Sequence, residues 1–230
     1  GHEILVIAPS RRIRHEKSQH NGVSVFGVRS FPILMYKDFR IAPAFFSGQA
    51  IRKAIKEFNP DVIHTQSHFL ICAKVVKIAK ELNIPIVGTN HFMPENLVHY
   101  FPLPEFLRNA IKNFGWWQFR KVYDKLNLVT TPTQTAADLT KKSGLTKTII
   151  PISNGIDMEK FNPQNKGEYL RKKYSLPDKP LLITVGRLDK EKNVDMLLKA
   201  LKSVSKNIDL HFAIVGKGNE RANLEKLAIK

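Results

Sequence analysis

The chain has 230 residues, enough for one large α/β domain or for one domain and part of a second. Its 43% hydrophobic and 25% charged residues are ordinary for a soluble globular protein. The longest apolar run, Leu210–Val215 behind Ile208, falls far short of the ~20 residues of a membrane-spanning helix. A net charge of +17 marks a surface that attracts nucleotide phosphates, nucleic acid or anionic lipid alike, although lysine-rich solvated helix faces account for much of such a total. The single cysteine, Cys72, excludes an intramolecular disulfide and reads as a buried thiol in a reducing compartment.

Taken in chain order, strand-like runs alternate with amphipathic helical ones. Strands are expected at 3–8 and 23–28, then a helix at 47–58 with Ser47 as its N-cap. A strand at 61–65, a helix at 70–82 and a strand at 84–89 follow, and after a helical stretch come strands at 126–131 and 148–152 flanking a helix at 133–143. Residues 158–180 are rich in proline and charge and support only one short helix, around 168–174. A new series then opens with a strand at 180–185, a helix at 193–205 capped by Asn193, and a strand at 208–215. Strands apolar on both faces and separated by crossover helices imply parallel sheets covered on both sides, so the fold class is doubly wound α/β. The division expected is a first domain over 1–157, a linker over 158–180, and the start of a second domain over 181–230. Gly1-His2-Glu3 runs straight into a strand, and two strands with two helices cannot close a core. The chain is therefore expected to be a piece of a longer protein, without its first βα unit and inactive by itself.

In open parallel sheets ligands bind beyond the carboxyl ends of the strands, where loop amides and helix N-termini converge. The residues just after each strand are His64, Thr65, Gln66, Ser67 and His68; Asn90 and His91; Ser153, Asn154 and Gly155; Gly186 and Arg187; and Gly216, Lys217 and Gly218. The sharpest segment is Gly186-Arg187-Leu188-Asp189-Lys190-Glu191-Lys192-Asn193. Gly186 permits close backbone approach to a ligand, Arg187 offers a fork that fits phosphate oxygens, and Lys192 adds a point charge near the next helix start. Alone, this segment would read as a solvated charged loop. Gly216-Lys217-Gly218-Asn219 invites a dinucleotide reading, but Arg221 stands where the third glycine belongs, so it signals a tight strand-to-helix turn beside a ligand.

Together, Ser153-Asn154-Gly155-Ile156-Asp157 with Phe161 and Pro163, then the Gly186–Asn193 segment, then Ile214-Val215-Gly216-Lys217-Gly218 resemble glycosyltransferase family 4. Asp61-Val62-Ile63-His64 and Thr89-Asn90-His91-Phe92 fit the same family upstream, and the resemblance covers nearly the whole chain. It implies a retaining enzyme of the GT-B fold, with two Rossmann-like domains, the first binding an acceptor and the second a UDP- or GDP-sugar. By that resemblance Arg187 and Lys192 neutralise the donor diphosphate, with Gly186, Gly216 and Asn154 also at the donor. His91 takes the active-site histidine position, in sugar contact or proton handling, and His64 and Asn90 lie at the acceptor. No cofactor is implied. There is no Asp-x-Asp motif, in keeping with the metal-independent chemistry that the resemblance implies. The family's glycine-rich loop would precede Gly1 and its paired glutamates would follow Lys230.

The acceptor is the open question. Over 104–126, Leu107, Ala110, Ile111, Phe114 and Trp117 recur at helical spacing and are expected to face the core. Trp116 and Phe119 then fall on the outer side among Arg108, Lys112 and Arg120, an arrangement suited to an anionic membrane surface, where the alternative is a helix buried on two sides. Lipid-glycosylating members of the family resemble this pattern, and Asn90–Asn96 is similar to enzymes acting on diacylglycerol or phosphatidylinositol. The expected partners are thus a nucleotide-sugar and a lipid acceptor or anionic membrane surface, with the protein cytoplasmic or peripheral on the inner face of the membrane. A soluble transferase making sugars or polysaccharide differs only in acceptor. A nicotinamide-dependent oxidoreductase would need a complete glycine fingerprint and an acidic residue ~20 positions on, which are not present. A nucleic-acid-binding module would concentrate its basic residues in one patch, whereas these are spread along every helix.

Overall fold

The computed structural model describes residues 1–33, 36–94, 103–205 and 207–229. They form two compact units, the first from Gly1–Pro94 and Asn109–Asn154, the second from the described residues of 95–108 and from Gly155 onward.

In the first unit, β1 (Leu5–Pro9) lies parallel to β3 (Val23–Val28), and β2 (Glu16–His20) pairs antiparallel with the other edge of β3. The β2–β3 hairpin turns on Asn21 at φ 48 and Gly22 at φ 80, both left-handed, which matches the twist of the flanking strands. A second antiparallel ribbon joins β4 (Phe31–Ile33) to β5 (Tyr36–Ile41). The sequence predicts the strand Val23–Val28 here but no antiparallel pair; the Asn-Gly turn signal is present, but the strand before it, Glu16–His20, is polar throughout and lacks apolar alternation.

From α1 (Ala44–Phe58) onward the unit alternates regularly: β6 (Ile63–Thr65), α2 (Leu70–Glu81), β7 (Ile86–Thr89), α3 (Glu105–Tyr123), β8 (Leu128–Thr131), α4 (Gln134–Lys142) and β9 (Ile149–Pro151). The four strands β6-β7-β8-β9 form one parallel sheet in sequence order. Ser47 does not cap α1. The helix begins three residues earlier behind Pro43, which leaves Ser47 buried in the first turn. A side-chain cap forms at Thr133, whose Oγ1 accepts from Ala136 N at 3.1 Å and starts α4. One core gathers Phe26, Val28, Ile51, Ile55, Ile71 and Ile78 with Leu5, Ile7 and Ile63 against it. Ile63 and Ile84 carry that core over into a second, built from Val76, Ile86, Phe119, Tyr123, Leu126 and Val129. Cys72 is half-buried beside it rather than enclosed.

Helix α3 presents the opposite face to the one expected. Phe119 is 0% exposed, stacked on Tyr123 with ring centroids 4.2 Å apart, and Trp116 packs edge-on against Phe119 at 5.5 Å. Arg120 turns back to donate to the carbonyl of Ser143, and Arg108 and Lys112 are half-buried. Trp116, Phe119 and Arg120 therefore form no membrane-facing surface. The outward residues are Leu107, Phe114 and Trp117, the supposed core stripe, together with Phe106. The two stripes carry similar hydrophobicity, so periodicity could identify the helix but not its rotation. Tyr123 decides the rotation: its hydroxyl donates to the carbonyl of Thr89 at 2.8 Å, and its ring packs over Gly88, 3.2 Å from where a Cβ would stand, beside Leu126.

The second unit contains α5 (Glu168–Lys173), β10 (Leu181–Val185), a 3-10 turn (Lys190–Lys192), α6 (Val194–Val204), β11 (His211–Val215) and α7 (Arg221–Ala228). β10 and β11 are parallel, with Leu181 opposite His211 and Val185 opposite Val215. Asn193 does head α6, but in the left-handed conformation at φ 50 and without a side-chain cap bond. The core is small: Leu188, Val194 and Leu224, with Leu198 and Ile214 against them.

Because Phe119 is enclosed and Phe114 is not, Phe119→Ala should destabilise the protein by about 3–5 kcal/mol through the cavity it leaves, whereas Phe114→Ala should stay within about 0.5 kcal/mol. Urea denaturation of both variants checks this, and equal losses would mean that the helix is rotated otherwise.

Candidate functional site

Two sets of polar residues collect at carboxyl strand ends, one in each unit. In the first, the register of β7 on β8 sets Thr89 opposite Thr130, and their hydroxyls lie 2.7 Å apart, buried. Thr89 Oγ1 is also 2.7 Å from His64 Nε2. Gln66, two residues beyond His64, places its amide nitrogen 3.3 and 3.5 Å from that ring's Nε2 and Nδ1. Its carbonyl oxygen lies 2.9 Å from Nε2 of exposed His91. A line of polar groups thus runs from the interior at Thr130 through Thr89, His64 and Gln66 to the surface at His91. Partial burial, and then the charge of His91, hold the His64 imidazole below its ordinary pKa, which favours the neutral ring.

His64 and His91, two of the residues expected at the acceptor, are thus brought together with Gln66 between them. Asn90 is placed differently. It is 1% exposed, its amide nitrogen donates to Thr140 Oγ1 at 3.0 Å, and its side-chain oxygen accepts from Phe92 N at 2.9 Å. Both ends of the amide are thus committed to building the turn that presents His91, so Asn90 supports this strand edge from within instead of lining it. In the sequence, Gln66 and Thr89 stand out only as members of strand-end segments, without a role in the site, and Thr130 is not singled out. All three lie at or just past strand ends, but only strand register shows that they touch.

His68 is enclosed by Phe69, Phe92, Phe119 and Tyr123, with ring centroids 3.9 to 6.4 Å away. Neither ring nitrogen has a hydrogen-bond partner. It behaves as a neutral aromatic core residue, as an apolar cage requires.

In the second unit, β10 and β11 continue their pairing past the strand ends: Gly186 N donates to Val215 O at 3.0 Å and Leu188 N to Lys217 O at 2.9 Å. This brings the two loops so close that a Cβ on Gly216 would collide with the Gly186 carbonyl, and one on Gly218 with the Leu188 backbone. Here the glycines permit loop-on-loop contact, while a Cβ on Gly186 would meet nothing within 4 Å. Arg187 is paired with Glu191 at 2.5 Å and Asp189 at 3.6 Å, and Lys192 with Glu191 at 3.8 Å. The acids are largely covered, with side chains 11% and 13% exposed, but Arg187 and Lys192 remain 66% and 50% exposed. Exposed ion pairs of this kind are weak, so an incoming phosphate can compete for both cations. The i, i+4 spacing of Arg187 and Glu191 was the available sequence signal for this pairing. Asn154 is exposed beyond β9, and no hydrogen bond described here engages its side chain.

Burial drives the pKa of His68 down to about 4, against about 6.5 in an unfolded chain. Protons then bind the unfolded chain preferentially between these values. Stability should be full above about pH 6.5, fall as pH drops towards 4, and lose up to about 3 kcal/mol in all. His68→Phe should flatten that part of the urea stability profile between pH 7 and 4; an unchanged slope would locate the loss elsewhere.

Comparison with known proteins identifies the fold and the family. Solved structures sharing the fold include a sucrose-phosphate synthase from Thermosynechococcus elongatus, with TM-score 0.68 and 16% identity over 99% of this chain and 57% of that one. Another is Anabaena HepE in complex with UDP, with TM-score 0.66 and 13% identity over 98% and 64%. The α/β architecture with parallel sheets is that of the GT-B glycosyltransferases. Among curated relatives, a GDP-mannose-dependent alpha-mannosyltransferase of Mycobacterium tuberculosis is 28% identical over 98% of this chain and 57% of its own length. The sulfoquinovosyl transferase SQD2 of Arabidopsis thaliana is 29% identical over 99% and 43%. An alpha-monoglucosyldiacylglycerol synthase of Streptococcus pneumoniae is 28% identical over 99% and 51%. The chain spans about half the length of these relatives. The model for Glycosyl transferases group 1 matches residues 166–230, and that for Glycosyltransferase Family 4 matches residues 1–160, well over half of the chain. The chain belongs to glycosyltransferase family 4.

Proposed function

We propose that the chain is part of a retaining glycosyltransferase that moves a hexose from a nucleotide-diphosphate sugar to the hydroxyl of a membrane lipid. The observation that carries this reading is the paired loop edge of β10 and β11, where glycines bring the loops together and leave Arg187 and Lys192 exposed as cations. A diphosphate there would be met by Arg187 as a fork and Lys192 as a point charge, stabilising the nucleoside diphosphate as the sugar–phosphate bond breaks. The glycines of Gly216-Lys217-Gly218 are accounted for by loop packing, which removes the main prompt for an oxidoreductase reading.

Residues 1–157 then serve the acceptor, 158–180 link, and 181–230 begin the donor-binding domain. His91 is the residue for sugar contact or proton handling, with His64 behind it. The lipid acceptor is supported by relatives named for monoglucosyldiacylglycerol and for phosphatidylinositol dimannoside. No helix among the described residues is long and apolar enough to cross a membrane. Attachment would instead be peripheral, through the outward face of α3, where Phe114 and Trp117 are 63% and 46% exposed and Lys121 lies 4.8 Å above the Trp117 ring.

In the intact enzyme, Arg187→Ala or Lys192→Ala should weaken nucleotide-sugar binding about 10- to 150-fold, the effect of losing one charge-assisted phosphate contact. Calorimetry with uridine and guanosine diphosphosugars measures it, and unchanged affinity in both variants would overturn the donor assignment. The intact enzyme should also sediment with vesicles containing anionic lipid, less so at high salt, and the Phe114→Ser, Trp117→Ser double variant should sediment less while keeping its circular dichroism. Wild-type protein that ignores anionic vesicles would favour a soluble sugar or polysaccharide acceptor.

A further inference from the structure

Gln66 occupies the gap between the two histidines of the first site, and its carboxamide is directional. The oxygen only accepts and the nitrogen only donates. With Gln66 Oε1 at 2.9 Å from His91 Nε2, that nitrogen must carry the proton, and Nδ1 of His91 is left as a bare lone pair. The amide nitrogen then faces the His64 ring 3.3 Å from Nε2 and 3.5 Å from Nδ1, so it does not select the tautomer of His64. His64 Nε2 and Thr130 Oγ1 each lie 2.7 Å from Thr89 Oγ1, which ties the His64 ring to the sheet.

We propose that Gln66 is a positioning residue that locks His91 into its Nε2-protonated tautomer, so that Nδ1 of His91 is the acceptor atom at the exposed end of the network. Its kinetic consequence rests on the glycosyl-transfer reading above; the tautomer lock does not. If His91 takes a proton or a hydrogen bond from an acceptor hydroxyl, it does so at Nδ1, and the reversed amide would present a donor instead. The substrate chemistry that fits is thus a hydroxyl donating to His91, consistent with a sugar or glycerol alcohol. An exposed glutamine can also be oriented by nothing more than solvent, and the experiment separates the two cases.

The intact protein labelled with 15N-histidine would be studied by long-range proton–nitrogen correlation above about pH 8, where imidazoles are neutral. His91 and His64 are identified through His91→Asn and His64→Asn. In wild type His91 should show the Nε2-protonated pattern alone. Gln66→Leu should return it towards the mixed tautomers of free imidazole while the His68 signals stay in place, which reports an intact fold. Gln66→Glu, which keeps an acceptor oxygen towards His91, should keep the Nε2-protonated pattern. A wild-type His91 protonated at Nδ1, or wild-type and Gln66→Leu spectra that coincide, would overturn the lock. In turnover, Gln66→Leu should lower kcat on the order of tenfold, the effect of one lost hydrogen bond, with KM for the nucleotide-sugar unchanged. If the lock is seen but His91→Ala keeps full activity, the glycosyl-transfer role of His91 fails and the lock stands. If His91→Ala is inactive but Gln66→Leu keeps its kcat, the positioning role fails.

Discussion

The pairing of β7 with β8 governs the first unit. Setting Thr89 opposite Thr130 joins two hydroxyls inside the sheet and fixes where the chain must turn out of β7. Asn90 N then donates to Thr130 O at 2.8 Å, extending the ladder by one residue. The Asn90 side chain locks the turn through Thr140 and Phe92, and His91 emerges at the surface. The same register leaves the Thr89 carbonyl available to Tyr123, so the core helix and the site edge are tied to one strand end. A parallel sheet whose strands end together concentrates polar groups where the helices have not yet begun, and the cost of burying Thr89, Thr130 and Asn90 is met by hydrogen bonds among them.

The second unit uses the same device with different chemistry. Its two parallel strands also continue pairing into their loops, but the residues there are glycines and cations rather than hydroxyls and imidazoles. Asp189 and Glu191 hold the cations loosely. Largely covered themselves, they keep Arg187 and Lys192 gathered without neutralising the exposed ends of those side chains. One edge gathers hydroxyls and imidazoles, and the other exposes cations.

Helix α3 shows how little of a helix's orientation lies in its own pattern. Aromatics are distributed around most of its circumference, and basic residues occur on both sides. Phe119 is buried because Tyr123, one turn on, is drawn to the Thr89 carbonyl and fits the space over Gly88. Once Tyr123 is inward, Trp116 and Phe119 follow by helical geometry, and Phe114 and Trp117 are left outside.

The sequence by itself determined the alternation of strands and helices from residue 44 onward, the parallel sheets, the family, and the strand ends at which polar residues would gather. These are set by local periodicity, by glycine at loop contacts and by the fixed position of ligand sites in parallel α/β folds. The antiparallel β2–β3 hairpin stayed hidden because its outer strand, Glu16–His20, is polar throughout and carries no alternation to detect. Only the tertiary structure decided the rotation of α3, the commitment of Asn90 to the turn, and the place of Gln66 between two histidines. Those facts depend on register and on which groups satisfy one another across the sheet, and residues 25 or 41 positions apart, as Gln66 is from His91 and Thr89 from Thr130, become neighbours only when the strands pair.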